Sequence, residues 1–235
     1  MNVPSGSRAD STRRKARAPK GQASTNSGSN AASDALRERI LEAALRMFAE
    51  RGFHGTSVPE IARAARVGVG SIYRHFESKE RLVNAVFREA KTKLRDALLL
   101  DFDMQRPPNV MFADVWSRLV RFQREHPVAF QFLEMQDHVP YLDGESRAVE
   151  ASVLAPLLMA IESVLGVGEG ASGVSPAVLI AMVWGGFVGL TKAERLGYLT
   201  LDDAMLRSAG EVCFAAIESS LLAPKVKRKR NSTGE

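Results

Sequence analysis

The stretch from Thr56 to Phe76, Thr-Ser-Val-Pro-Glu-Ile-Ala-Arg-Ala-Ala-Arg-Val-Gly-Val-Gly-Ser-Ile-Tyr-Arg-His-Phe, constrains this chain more than any other. Ser57 and Glu60 have the S-x-x-E spacing of a capping box, in which hydroxyl and carboxylate satisfy backbone N–H groups at a helix start. A helix of about two turns is therefore expected from about Ser57. Pro59 is tolerated in its first turn, and Val58, Ile61, Ala62 and Ala65 supply an apolar stripe at helical spacing. Val67 and Gly68 break the pattern. A second short helix follows, with Val69, Ile72 and Phe76 expected on its inner side and Gly70, Ser71, Tyr73 and Arg74 facing out.

That outer face has the chemistry a DNA groove requires. A helix entering the roughly 12 Å major groove needs small residues where its backbone nears the bases, and hydroxyl or guanidinium groups where it reads edges or phosphates. Gly70 and Ser71 permit the approach. Arg74 can pair bidentately with guanine, Tyr73 can reach a phosphate or a thymine methyl, and His75 can donate to a phosphate. Lys79 follows Ser78, a natural N-cap, so a cation and unpaired backbone N–H groups converge at the next helix start. Ser57, Gly70, Ser71, Tyr73, Arg74, His75 and Lys79 are the candidate DNA-binding residues.

Around this core, Ile40-Leu41-Glu42-Ala43-Ala44 and Phe48-Ala49-Glu50-Arg51-Gly52-Phe53 precede, and Ser71-Ile72-Tyr73-Arg74-His75-Phe76 with Ser78-Lys79-Glu80 follow. Together, from Leu36 to Phe87, they resemble the DNA-binding domain of tetracycline-repressor-type (TetR-family) regulators. Pro59, Arg66 and Gly68 depart from that family's commonest pattern. The resemblance implies an all-α homodimer that binds a palindromic double-stranded DNA operator, with a variable C-terminal domain for a small-molecule effector. It also implies that the last two helices of each subunit make the dimer contact, where Gly185 and Gly189, four residues apart, allow close approach.

Charge is unevenly spread. Residues 34–91 carry eleven basic against eight acidic groups, whereas residues 92–224 carry ten basic against seventeen acidic ones. A basic head on an acidic body suits a protein that presents one end to nucleic acid. Residues 1–32 are rich in Ser, Gly, Asn, Arg and Lys without apolar periodicity and are expected to form a disordered basic arm. A helix-turn-helix domain over 33–78, opening on a helix from about Asp34 to Arg51, a ligand-binding and dimerisation domain over 79–222, and a basic tail over 223–235 complete the expected organisation.

Every segment after Lys79 reads as helix: about Lys79–Leu100, a helix up to His126, one from Pro127 to Met135, Glu145–Leu165 with Pro156 inside it, Pro176–Leu196 and Asp202–Leu222. Bulky apolar groups exceed what a minimal bundle needs, and Phe102, Trp116, Phe122, Phe130, Met135, Met159, Trp184 and Phe187 are the candidate lining of an effector pocket of roughly 300 to 1,000 Å³. Ala177–Leu190 is only 14 residues of apolar chain, short of the roughly 20 that span a bilayer, and is expected to be a buried helix of a protein with no membrane partner.

Other classes find little support. Cys213 is the only cysteine, which excludes an intrachain disulfide and points to a reducing compartment, the cytoplasm. No hydrophobic run opens the chain as a signal peptide would. His126, Glu134, Asp137 and His138 match no metal-site spacing, so no metal is expected. Gly168 to Gly173 fits G-x-G-x-x-G but follows a helix without a βαβ unit, so no dinucleotide or other cofactor is expected. Neither G-x-S-x-G nor H-E-x-x-H occurs, which argues against an enzyme. A purely architectural nucleic-acid binder is the remaining alternative.

Overall fold

A computed structural model describes residues 25–135, 137–165 and 174–222, and in them the chain is all-helical. Nine α-helices run in order: α1 (Thr25–Arg51), α2 (Val58–Ala65), α3 (Val69–His75), α4 (Lys79–Leu99), α5 (Pro108–Glu125), α6 (Pro127–Met135), α7 (Gly144–Leu165), α8 (Pro176–Arg195) and α9 (Asp203–Leu222). A single 3₁₀ turn, Val139–Tyr141, lies between α6 and α7. By its contacts the chain divides into residues 1–37 and residues 38–235. In the first unit the described residues are helical, and those from Asn30 to Ala35 are exposed.

The start of α1 corrects the expected boundary. The helix begins at Thr25, not near Asp34, so the last residues assigned to the basic arm are helical. Residues 25–33 are polar or small throughout, so their sequence offers no apolar periodicity to read. The rest of the arm, the tail over 223–235 and the Gly168 to Gly173 motif fall outside the described residues.

From Glu38 onward the head assembles around Ile40, Ala44 and Phe48 of α1, Ile61 of α2 and Ile72 of α3, all at most 1% exposed. Gly52, at φ +69°, ends α1 in the left-handed region where glycine carries no Cβ penalty. Thr56 then covers that end: its hydroxyl lies 2.9 Å from the Gly52 carbonyl and 3.2 Å from that of Met47. This fixes the approach of α2 to α1.

The body is built on α4, which packs against α5, α6 and α7 and buries Leu82, Val83, Val86, Phe87, Leu94 and Leu98. α5 also meets α6 and α9, and α8 meets α7 and α9. Pro108 and Pro127 occupy first-turn positions of α5 and α6, where the missing N–H removes no helical bond. Pro156 lies inside α7, and the helix continues past it.

Candidate nucleic-acid interface and body cavity

α2 and α3 owe their geometry to local chemistry. The Glu60 carboxylate accepts from the Ser57 N–H at 3.0 Å and from the Ser57 hydroxyl at 2.6 Å. These two bonds, with Arg51 at 3.0 Å, hold the Glu60 carboxyl below its usual range. Arg66 adopts φ +55° at the C-cap of α2 and bonds back to Arg63, so the turn takes a left-handed residue without glycine. Gly68 caps α3, with the Ser71 N–H donating to its carbonyl at 2.9 Å.

On α3, Gly70, Tyr73 and Arg74 are exposed, while Ser71 and His75 are half-buried. Arg74 donates to the Ser71 hydroxyl at 3.2 Å, which draws the guanidinium across the outer face of the helix. A Cβ at Gly70 would meet nothing within 4 Å, so no internal neighbour demands glycine there. Val69 departs from expectation: it is 38% exposed and not an inner residue. A first-turn residue of so short a helix overhangs the two buried anchors, Ile72 and Phe76, without reaching the core.

Ser57 is exposed beside this face, its donors turned to Glu60. Lys79 opens α4 behind the N-cap Ser78, whose hydroxyl accepts from the Arg81 N–H. The Lys79 ammonium stands 4.1 Å over the Phe53 ring, a cation–π contact that sequence spacing did not disclose. Phe53 in turn stacks on Tyr141 at 4.7 Å.

That stack belongs to a seam between head and body. Asn84, 2% exposed on α4, uses all four of its bonding positions: its amide donates to the Glu80 and Tyr141 carbonyls at 2.9 and 2.8 Å. Its oxygen accepts from the Asp143 N–H at 2.9 Å and the Ser146 hydroxyl at 2.7 Å. Arg88 donates to both oxygens of Asp143, at 3.1 and 3.2 Å. Burial raises the Asp143 carboxyl, but bonds from Ser146 and Arg88 outweigh it and leave the group below its ordinary value.

Beside this network, His138 is 7% exposed and lies within 2.7 Å of both the Phe132 carbonyl and the Tyr141 hydroxyl. The carbonyl can only accept, so Nε2 carries the hydrogen and the phenol donates to Nδ1. Burial lowers the His138 imidazole and pushes Tyr141 up to about 12, keeping both neutral in that arrangement. His138 is thus a satisfied core group, and the described residues hold no cluster of metal-binding side chains. Gln131 adds a bond to the Ala49 carbonyl at 3.0 Å, tying α6 to α1.

At the opposite end of the body a cavity of about 140 Å³ opens among α4, α5, α7, α8 and α9. Of the candidate pocket residues, Phe102, Trp116 and Trp184 line it. Phe122, Phe130 and Phe187 do not; at 1%, 3% and 0% exposure they are core residues packed against other side chains. Phe187 meets Trp116 and Phe130 edge to face, which leaves no free ring surface for a ligand. Met159 is 64% exposed and does not line the cavity. Met135 has no described side chain. Phe112, Leu157 and Phe214 are lining residues the sequence reading missed.

α8 also departs from expectation. It is a 20-residue helix whose hydropathy and length suffice to cross a membrane, so the 14-residue argument does not hold. Nor is it buried: only Leu179, Phe187 and Thr191 are, while Val178 and Met182 are 48% and 62% exposed. Gly185 and Gly189 are exposed, and a Cβ at either would meet nothing within 4 Å, so they serve no internal packing.

Comparison with known proteins places these features in one family. Residues 40–86 match the model of bacterial regulatory proteins of the tetR family, and residues 87–219 match a tetracyclin repressor-like C-terminal domain. The HTH-type transcriptional repressor KstR2 of Mycolicibacterium smegmatis is 45% identical over 53 residues, which is 23% of this chain and 26% of that protein. Matches to curated relatives span from about a quarter to little more than half of those relatives' own lengths. A TetR family regulator from Marinobacter aquaeolei superposes with a TM-score of 0.69 at 26% identity, covering 80% of this chain and 97% of that one. The regulator FadR from Bacillus subtilis, solved in complex with stearoyl-CoA, has a TM-score of 0.55 at 18% identity, covering 79% and 97%. The head and the body each match their half of one architecture, and the chain belongs to the tetR family of bacterial regulatory proteins.

Proposed function

We propose that this protein is a cytoplasmic, dimeric transcriptional repressor that binds a palindromic operator through α3 and leaves it when a small molecule enters the body. The observation that carries the reading is the outer face of α3. Gly70 is free of internal neighbours, Tyr73 is 51% exposed, and Arg74 lies across Ser71, a surface suited to groove entry on a helix whose other side is anchored by Ile72 and Phe76. Family membership supports it, as does the repressor KstR2 among its relatives. FadR's complex with stearoyl-CoA supports a small-molecule effector.

Dimerisation accounts for α8. Its exposed Val178 and Met182, the exposed Met205 and Val212 of α9, and the open flank at Gly185 and Gly189 form an apolar surface that a second copy would cover. Covered in this way, α8 needs no membrane. Two copies would set their α3 helices at the spacing of palindromic half-sites. Release works through α4, whose first turn carries Lys79 beside the head and whose Leu98 lines the cavity. If a ligand displaces α4, the α3 spacing changes, and a coupling of about 1 to 3 kcal/mol alters DNA affinity roughly 5- to 150-fold.

The test separates reading from holding. With the operator identified by selection from random DNA, Arg74→Ala should cost about 1 to 3 kcal/mol on the operator and far less on random DNA. Lys79→Ala should weaken both equally. Equal losses for Arg74→Ala on both would remove it as a base reader. Failure of any sequence to compete above random DNA would replace this function with architectural binding.

A further inference from the structure

The body cavity is unusual in what it lacks. Among the described residues, none that lines the cavity carries a charge or a hydroxyl, and the strong side-chain donors there are the indoles of Trp116 and Trp184. Both indoles are already engaged: Trp116 Nε1 donates to the Leu206 carbonyl at 2.8 Å, and Trp184 Nε1 donates to Glu134 Oε2 at 2.6 Å. A ligand inside therefore finds, among the described residues, no free side-chain donor and no counter-charge. A polar group placed there would lose its water bonds without replacement, and an ionised one would lose far more.

Size narrows the ligand further. The cavity measures about 140 Å³. An apolar cavity of about 150 Å³ lined by Leu, Ile and Phe stays dry and accepts benzene. The walls here are of that kind, with Phe102, Phe112, Leu157 and Phe214 joined by the two indoles, whose faces favour stacked or edge-on rings.

Resting on the effector-release reading above, we propose that the effector is an uncharged, apolar molecule of about one aromatic ring, bound between Trp116 and Trp184, and that carboxylates and other anions are excluded. A charged carrier finds no partner among the described residues of this wall. Selectivity arises from the absence of any polar partner in the wall, not from a recognising group.

The chain contains two tryptophans, and both line the cavity, so intrinsic tryptophan emission reports on this site; Trp116 also borders a groove between α5 and α9, and the filled variants below assign the response to the cavity. The full-length protein, free of DNA, is titrated with toluene, benzyl alcohol and benzoate while emission is followed. Toluene should produce a saturable change. Benzyl alcohol should bind about 10-fold more weakly and benzoate at least about 100-fold more weakly. Ala160→Phe, which projects a ring from the cavity wall, should abolish the toluene response while circular dichroism remains unchanged; if that variant does not fold, Val183→Phe serves in its place. No saturable toluene response, benzoate binding as tightly as toluene, or an unchanged response in the filled variant would each overturn the proposal. Operator release is measured separately. Toluene binding without release would leave this ligand class standing and sink the effector reading instead.

Discussion

The two ends of the body are built from opposite materials. Where it meets the head, Asn84, Arg88, Asp143, Ser146, His138 and Tyr141 interlock through directed bonds of 2.7 to 3.2 Å. Where the cavity lies, contacts are apolar, and the two indole N–H groups turn to partners outside the cavity space. Directed bonds have one good geometry and are lost when it is left, whereas apolar contacts tolerate repacking. The seam can therefore pass a displacement on without absorbing it. The cavity end can deform around whatever enters.

The sharpest way to break this contrast is at Asn84. Asn84→Ala removes the partner of the part-buried Tyr141 carbonyl and Asp143 N–H and the acceptor of the buried Ser146 hydroxyl, and is expected to cost about 2 to 4 kcal/mol in denaturant unfolding. A loss below about 1 kcal/mol would show that the seam is held by packing alone.

At the soft end the corresponding change is Gly210→Ala. A Cβ there would stand 2.8 Å from Cδ1 and 2.9 Å from Nε1 of Trp116, and that ring is pinned by its bond to Leu206. The ring or α9 must shift, at about 1 to 2 kcal/mol, with a change in tryptophan emission. An unchanged spectrum would mean that α9 yields and the ring does not.

The smallest effect is electrostatic and tests whether the cavity end tolerates charge. Burial raises the Glu134 carboxyl against the opposing pull of Lys91 and Trp184. A raised carboxyl favours folding below its unfolded pKa and loses that contribution as pH rises through the folded value. Glu134→Gln keeps an acceptor for Trp184 and removes the ionisation, so its melting temperature should exceed the parent's at neutral pH, with the gap closing on acidification. Asp143 is shifted the other way, so Asp143→Asn should fare worse than the parent at neutral pH and approach it as acid protonates the carboxyl. A gap for Glu134→Gln that widens in acid would reverse the sign assigned to burial there.

Legibility in the sequence followed the distance between partners. Ser57 with Glu60, Ser78 with Arg81 and the apolar stripe of α2 all lie within one or two helical turns, and α2 and the start of α4 could be placed from them, whereas the polar first turns of α1 could not. Asn84 and Arg88 find Asp143 across 59 and 55 residues, so nothing local marked the seam, and the 3₁₀ turn that serves it was not anticipated. The pocket residues failed for a related reason. Phe122, Phe130 and Phe187 share the composition of a cavity wall, but whether a ring faces a void or another ring is settled by neighbours on other helices. α8 misled differently, because an apolar stretch reads the same whether or not its own chain covers it.

α9 touches both worlds at once. Its inner side receives the Trp116 indole at Leu206 and Gly210, while Met205 and Val212 on the same helix are 55% and 70% exposed on the face assigned to a second copy. In the proposed dimer, pairing of subunits and occupancy of the cavity bear on a single helix. Mass action follows: diluting the protein until the pair separates should change its apparent affinity for the effector, and saturating effector should move the concentration at which subunits part.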